Sequence, residues 1–284
     1  MQEGVQETVT AVEGSREERP RPRATRKRLD ALRDDLARRL AAAPRTTTPR
    51  PSPGRGIVAL LRTHRTDDDA EALAKAKDLA AGASPGRGND AVLEDLAWLG
   101  RAFVLLHDAT GSDLHLDTAE RLAGTVRSLE AARGGFRGSS RSPPDDLDAA
   151  GTGAAARFLV ELSWRIGLRG GHRNAAERAL RRICVPAILD AHPSAWPDLL
   201  DGIDGLLAQP LHATVTGAWE NAAVTQLHRA CLRLPHDPLV LDWSPAGEDF
   251  PDVGAPCVYL TKGSLCASPV TDEARLAAAV ARLA

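Results

Sequence analysis

Between residues 57 and 207 the chain is cut into apolar-periodic segments of roughly 14–20 residues by short runs of Gly, Pro and Asp. That spacing restricts the fold to helices joined as successive hairpins. The strongest segment, NDAVLEDLAWLGRAFVLLHDAT (89–110), is predicted to be capped by Asn89 or Asp90. DDDAEALAKAKDLAAGA (67–83) opens on acidic residues, which favour a helix N-terminus. Asp117 and Thr118 are expected to open TAERLAGTVRSLEAARGG. AAGTGAAARFLVELSWRIG (149–167) and NAAERALRRICVPAILDAH (174–192) read as two further helices. No exact repeat recurs, which disfavours a regular solenoid. Aromatic residues make up only 4% of the chain, so Leu, Val and Ala must fill a core of closely approaching helices.

The flanks have a different character. Residues 1–28 are polar, and 16–28 carry seven Lys or Arg; they read as a disordered basic tail rather than a nucleic-acid arm. In 29–56, Leu29, Leu32, Leu36 and Leu40 give an amphipathic helix, followed by the Pro-rich loop PRTTTPRPSPGRG. After residue 208 strand patterns appear. PLHATVTG and DPLVLDW flank the helical AWENAAVTQLHRACLRL, and PCVYLTKGSLCA reads as a hairpin turning at Lys262-Gly263. The fold class is therefore mainly α, with a helical-hairpin domain over 57–207 and a small α/β appendage over 208–284.

Composition narrows the function classes. A formal net charge of −2 offers no global field for nucleic acid or anionic membrane. No apolar run reaches 18 residues, and the N-terminus lacks a signal-peptide pattern, so a cytoplasmic location is expected. Four cysteines without a CxxC do not form a disulfide framework; Cys257 and Cys266 are expected as small side chains without redox chemistry. His107, Asp108 and His115 match no compact metal motif and are expected to be structural. Gly151-Thr152-Gly153-Ala154-Ala155-Ala156 has the GxGxxA form, but no strand precedes it, and its glycines are expected to permit a tight helix entry. No cofactor and no metal site are expected.

Three segments carry a family resemblance. Val258-Tyr259-Leu260, Cys266, Pro269, Val270, Thr271 and Asp272 fit the pattern A-Y-V-C-x-x-x-x-C-x-x-P-V-T-D, with Thr261 at its first cysteine. Leu93, Glu94, Asp95 and Ala97 fit an L-E-D-Y-A helix, and Gly151 opens a segment like S-G-N-S-x-A-A. In this order they resemble the thioredoxin-domain-containing family related to spermatogenesis-associated protein 20. The resemblance implies an α/α toroid of the six-hairpin glycosidase and N-acylglucosamine 2-epimerase kind. It implies a partial one here, lacking the thioredoxin domain and about half the hairpins. Gly54-Arg55-Gly56-Ile57 stands where the family has W-N-G-L.

Two functions follow from the resemblance. One is a degenerate, non-catalytic interaction or accessory protein, completed by a partner protein or by a second copy of itself. The other is a carbohydrate-active isomerase or epimerase acting on a small sugar. In the latter, Glu94 or Asp95 would be the acid–base residue, and Arg137, in the turn Gly134-Gly135-Phe136-Arg137, would bind the substrate. The two carboxylates are adjacent, about 100° apart around a helix, so they cannot face one pocket equally.

Overall fold

A computed structural model describes residues 23–42, 52–83, 92–143, 145–167 and 169–283. Among them are eleven α-helices and one four-stranded sheet. The polar stretch 1–22, the loop 43–51 and the cap candidates Asn89 and Asp90 lie outside the described residues.

The first helix, α1 (Arg23–Ala42), begins inside the segment expected to be a tail. Its Leu29 and Leu36 are buried against the helical core; the side chain of Leu40 lies outside the described residues. The second, α2 (Pro53–Asp67), starts four residues before 57, because Pro53 pre-sets the helical φ at the first position. Next come α3 (Ala70–Gly82), α4 (Leu93–Thr110) and α5 (Asp113–Ser128). Asp69 caps α3 by accepting from the Glu71 and Ala72 amides, as its acidic start predicted. The start of α5 falls at Asp113, earlier than Asp117.

Beyond a loop come α6 (Ala149–Ile166), α7 (His172–Ile183), α8 (Pro186–Ala191) and α9 (Trp196–Leu207). The single helix expected over 174–192 is two, since Pro186 denies residue 185 the helical conformation. Asp148, not a glycine, caps α6 by accepting from the Gly151 amide. Gly153 serves another purpose: a Cβ there would lie 2.5 Å from the Leu199 nitrogen, so only glycine lets α9 lie this close.

Helices α2, α4, α6 and α9 pack side by side. They run parallel, because Arg55 meets Glu94 and Asp198 near their N-termini while Arg165 meets Asp108 near their C-termini. Helices α3, α5 and α7 return behind α2, α4 and α6, and α1 packs along α9. Phe136, Phe158, Leu159, Leu162 and Leu180 are fully buried in the core they share. Each such side chain contributes about 1.5–3 kcal/mol.

The C-terminal unit comprises β1 (Leu211–Thr216), α10 (Ala222–Leu232), β2 (Leu239–Ser244), β3 (Cys257–Lys262), β4 (Leu265–Cys266) and α11 (Glu273–Ala281). The sheet order is β2-β1-β3-β4, with β1 parallel to β2 and antiparallel to β3. The β1–α10–β2 crossover is a βαβ unit, and the alternating burial of β1 packs Leu211, Ala213 and Val215 into a second core. Val240 of β2 belongs to the helical core instead, which welds the sheet to α4 and α6.

The ribbon turns at Gly263-Ser264, one residue later than expected. Lys262 pairs with Leu265 and Thr261 with Cys266. Gly263 adopts φ 58°, the left-handed conformation that glycine tolerates at no steric cost. The shift of register places Cys266 opposite Thr261 rather than Tyr259. Cys257 instead faces Thr216 of β1, whose hydroxyl is 3.1 Å from its sulfur. All four cysteines are free thiols.

Candidate functional site

The parallel packing of α2, α4, α6 and α9 collects their first turns at one rim. Glu94 lies in the first turn of α4, which is anchored where the Leu93 amide donates to the Gly138 carbonyl, 2.8 Å. Its carboxylate accepts from Arg55 Nη2 of α2 at 2.6 Å. The same nitrogen lies 3.5 Å from Oδ1 of Asp198 in the first turn of α9. The Arg55 guanidinium stacks 4.2 Å above the ring of Trp98, one turn along α4 from Glu94. Burial pushes the Asp198 carboxyl up to about 6; Arg55 opposes the rise, while Glu94 and Asp201 add to it. Burial also raises Asp148, against the stabilising bond from the Gly151 amide.

Asp95 and Arg137 are not brought to this cluster. Asp95 is half-buried and forms no hydrogen bond or ion pair among the described residues. Arg137 donates to the backbone carbonyls of Ser140, Ser142 and Ser128 at 3.3–3.5 Å, so it braces the loop between α5 and α6. Of the three residues singled out from the sequence, only Glu94 has charged company. The companions that sequence reasoning missed are Asp198, Arg55 and Trp98. They come from helices remote in sequence, and only the packing of α2, α4 and α9 joins them.

One layer deeper the interface that α4, α6 and α9 share, their inner face, carries a second cluster. Arg101 donates to Glu161 at 2.9 Å and to Asp201 at 2.7 Å, and Arg157 donates to Glu161 at 2.7 Å. Burial alone would raise the Glu161 carboxyl, but Arg101 and Arg157 outweigh it and hold it down to about 2. A signal for this pair was available: Arg157 and Glu161 stand four apart among apolar neighbours, a spacing that brings side chains together. At the C-terminal end of the same face, Arg165 makes a two-pronged pair with buried Asp108 and also donates to the Glu161 carbonyl.

The space left between these charges is a cavity of about 60 Å³, lined by Arg101, Asp108, Glu161, Arg65, Asp237 and Leu239. It could accommodate a few waters. Its floor is the C-terminal unit, fastened by Arg65 donating to the carbonyls of Leu232 and Leu234.

His107 and Asp108 have separate structural partners. Asp108 pairs with Arg165, while His107 Nε2 lies 3.5 Å from Asp242 of β2. Burial lowers the proton affinity of His107, but Asp242, Asp108 and the Ser112 carbonyl together outweigh it and the net shift is upward. His228, also buried, is pushed down to about 4 by burial and by His107. Among the described residues no group of His, Cys, Asp or Glu is arranged to hold a metal ion, and no helix is long and apolar enough to cross a membrane. The chain matches no protein-family model and no curated protein sequence.

Proposed function

We propose that this chain is a partial α/α toroid that acts as a non-catalytic interaction or accessory protein, a degenerate relative of the thioredoxin-domain-containing family it resembles. The observation that carries this reading is the filled inner face. Arg101, Arg157 and Glu161 fill the space between the helices with side-chain ion pairs, and the cavity beside Arg101 and Glu161 is about 60 Å³. A pocket for a small organic ligand is several times larger, about 300–1,000 Å³. Glu94, the carboxylate that sugar chemistry would require, is already engaged by Arg55.

One observation favours the second reading, a carbohydrate-active isomerase or epimerase. Asp198 is held near 6 beside Glu94, and both are within reach of one guanidinium. A carboxyl whose proton affinity is raised towards neutrality, with a second carboxylate at hand, is an arrangement that general acid–base catalysis uses. Trp98 would supply an apolar face for a sugar ring.

The two readings separate in heavy water. An isomerase or epimerase that works beside a carbonyl exchanges the C2 proton of its substrate. The full chain, incubated in D2O with aldoses, ketoses and N-acetylhexosamines, is expected to show no deuterium incorporation above the buffer blank by proton NMR. Incorporation that Asp198→Asn abolishes would overturn the non-catalytic reading and establish the acid–base one.

A further inference from the structure

Arginine is segregated in this molecule. Residues 121–141 and 169–182 hold ten arginines and two glutamates, in a chain whose formal net charge is −2. The fold brings the two stretches together, because α5 and α7 both return towards the N-terminal rim of α4 and α6. The loop after α5 closes through the Gly134 amide to the Ala131 carbonyl and the Ala131 amide to the Gly135 carbonyl. Gly134 and Gly135 have φ of 85° and 80°, and a Cβ on Gly134 would lie 3.1 Å from the Arg178 carbonyl. The loop therefore rests directly on the last turns of α7.

Between loop and helix is an open cleft of about 470 Å³, lined by Glu130, Arg133, Gly134, Arg178, Arg181 and Arg182. Several neighbouring arginines are spent on the fold. Arg127 donates to the Gly170 carbonyl, Arg137 to three serine carbonyls and Arg173 to the Leu206 carbonyl. Inside the cleft, Arg178 is held by Glu130 and Arg181 by Glu177. Arg133 and Arg182 form no hydrogen bond or ion pair among the described residues. Cations near a helix C-terminus answer its partial negative charge, about half an elementary charge. That accounts for Arg181 or Arg182. It does not account for Arg133, which comes from the facing loop.

We propose that this cleft binds a small phosphorylated ligand, with Arg133 and Arg182 as its direct contacts. A guanidinium presents paired N–H donors that fit phosphate oxygens, and a phosphate carries enough charge to satisfy two of them, which a single carboxylate does not. The cleft has the size of a small-ligand site. A nucleic-acid strand would need a longer track of free cations, and nearby Arg127, Arg137 and Arg173 are tied to backbone carbonyls. The inference goes beyond the proposed function and stands whether or not the rim is catalytic.

The test is calorimetric titration of the full chain with inorganic pyrophosphate at low ionic strength, with citrate and a 20-nucleotide single-stranded RNA in parallel. Saturable one-to-one binding of pyrophosphate is expected. It should weaken at least tenfold in the Arg133→Ser/Arg182→Ser double variant and be unchanged in Arg275→Ser, whose site is on the remote α11. These residues are exposed, so circular dichroism should show all variants folded. Absence of saturable binding, an equal loss in Arg275→Ser, or citrate binding as tightly as pyrophosphate would each overturn the proposal. So would RNA binding more tightly with several chains per strand, which would make the face a nucleic-acid surface.

Discussion

Glu161 in the middle of the inner face and Asp198 at its rim are both poorly exposed carboxylates beside arginine, yet they are driven in opposite directions. The Glu161 side chain is 8% exposed and its carboxyl is held at about 2; that of Asp198 is 17% exposed and rises to about 6. Burial alone would order them the other way, since the deeper carboxylate should resist ionisation more. The number of cations for each carboxylate decides. Glu161 and Asp201 share two cations, Arg101 and Arg157, whereas Asp198 and Glu94 share Arg55 alone. An ion pair at about 4 Å is worth about 4 kcal/mol at the effective dielectric of a protein surface, and the desolvation of an ion costs several. A cation for each carboxylate overcomes that cost; half of one does not. The middle layer is built as structure, and the rim retains a carboxylate whose proton is loosely decided.

The largest test of this contrast is Glu161→Gln. It leaves buried Arg101 and Arg157 with Asp201 alone for two cations, and removal of one member of a buried charge cluster costs about 3–5 kcal/mol. Urea denaturation at pH 7 should show a loss of this size with an unchanged slope. Wild-type stability should also depend on acid. Because the folded pKa of Glu161 is depressed, its contribution of about 3 kcal/mol is complete above about pH 4.5 and lost as pH falls towards 2. A variant that unfolds at the wild-type urea concentration would show that the layer holds no net stability.

The contrast was only half legible in the sequence. Helical periodicity gave the hairpins, and the acidic residues before Ala70 gave the cap of α3. The same reasoning merged α7 with α8 because it did not let Pro186 interrupt the pattern. It also set the C-terminal ribbon one residue out of register, since a turn identified by glycine alone does not say which side of the glycine the loop extends. Glu94 stands out in the sequence because it lies in the L-E-D-Y-A pattern. Asp198 does not, because the residues that set its charge, Arg55 and Glu94, stand more than a hundred residues earlier. Asp95 and Arg137 were legible as chemistry but not as geometry: a helix position and a loop tip do not say what the side chain reaches. Charge clusters assembled from several helices leave few marks in any one of them.

Asp198→Asn should have the opposite sign. The folded pKa of Asp198 is raised, so its ionisation imposes no cost below about pH 4 and the full cost above about pH 6. Replacing the carboxylate with an amide should therefore stabilise the chain by about 2–3 kcal/mol at pH 7.5. The gain should shrink to nothing as pH falls below about 4. Thermal melts across that range would read both the size and the pH window. Destabilisation at pH 7.5 would mean that the Arg55 contact outweighs burial and that the rim resembles the middle layer.

Asp95→Asn is the smallest effect and the sharpest control on position. Asp95 is the neighbour of Glu94 in the same first turn, but it lacks any partner among the described residues. Only the helix macrodipole favours its charge, worth about 0.3–1 kcal/mol and screened by salt. The substitution should cost no more than this, and the cost should fade in about 0.5 M salt, where the screening length is a few ångströms. Glu94→Gln, which frees the Arg55 guanidinium beside Trp98, should cost more and keep most of its cost in salt, because its partner is a half-buried cation at 2.6 Å. Equal, salt-sensitive losses in the two variants would reduce Glu94 to a dipole partner. The distinction between rim and middle would then rest on Asp198 alone.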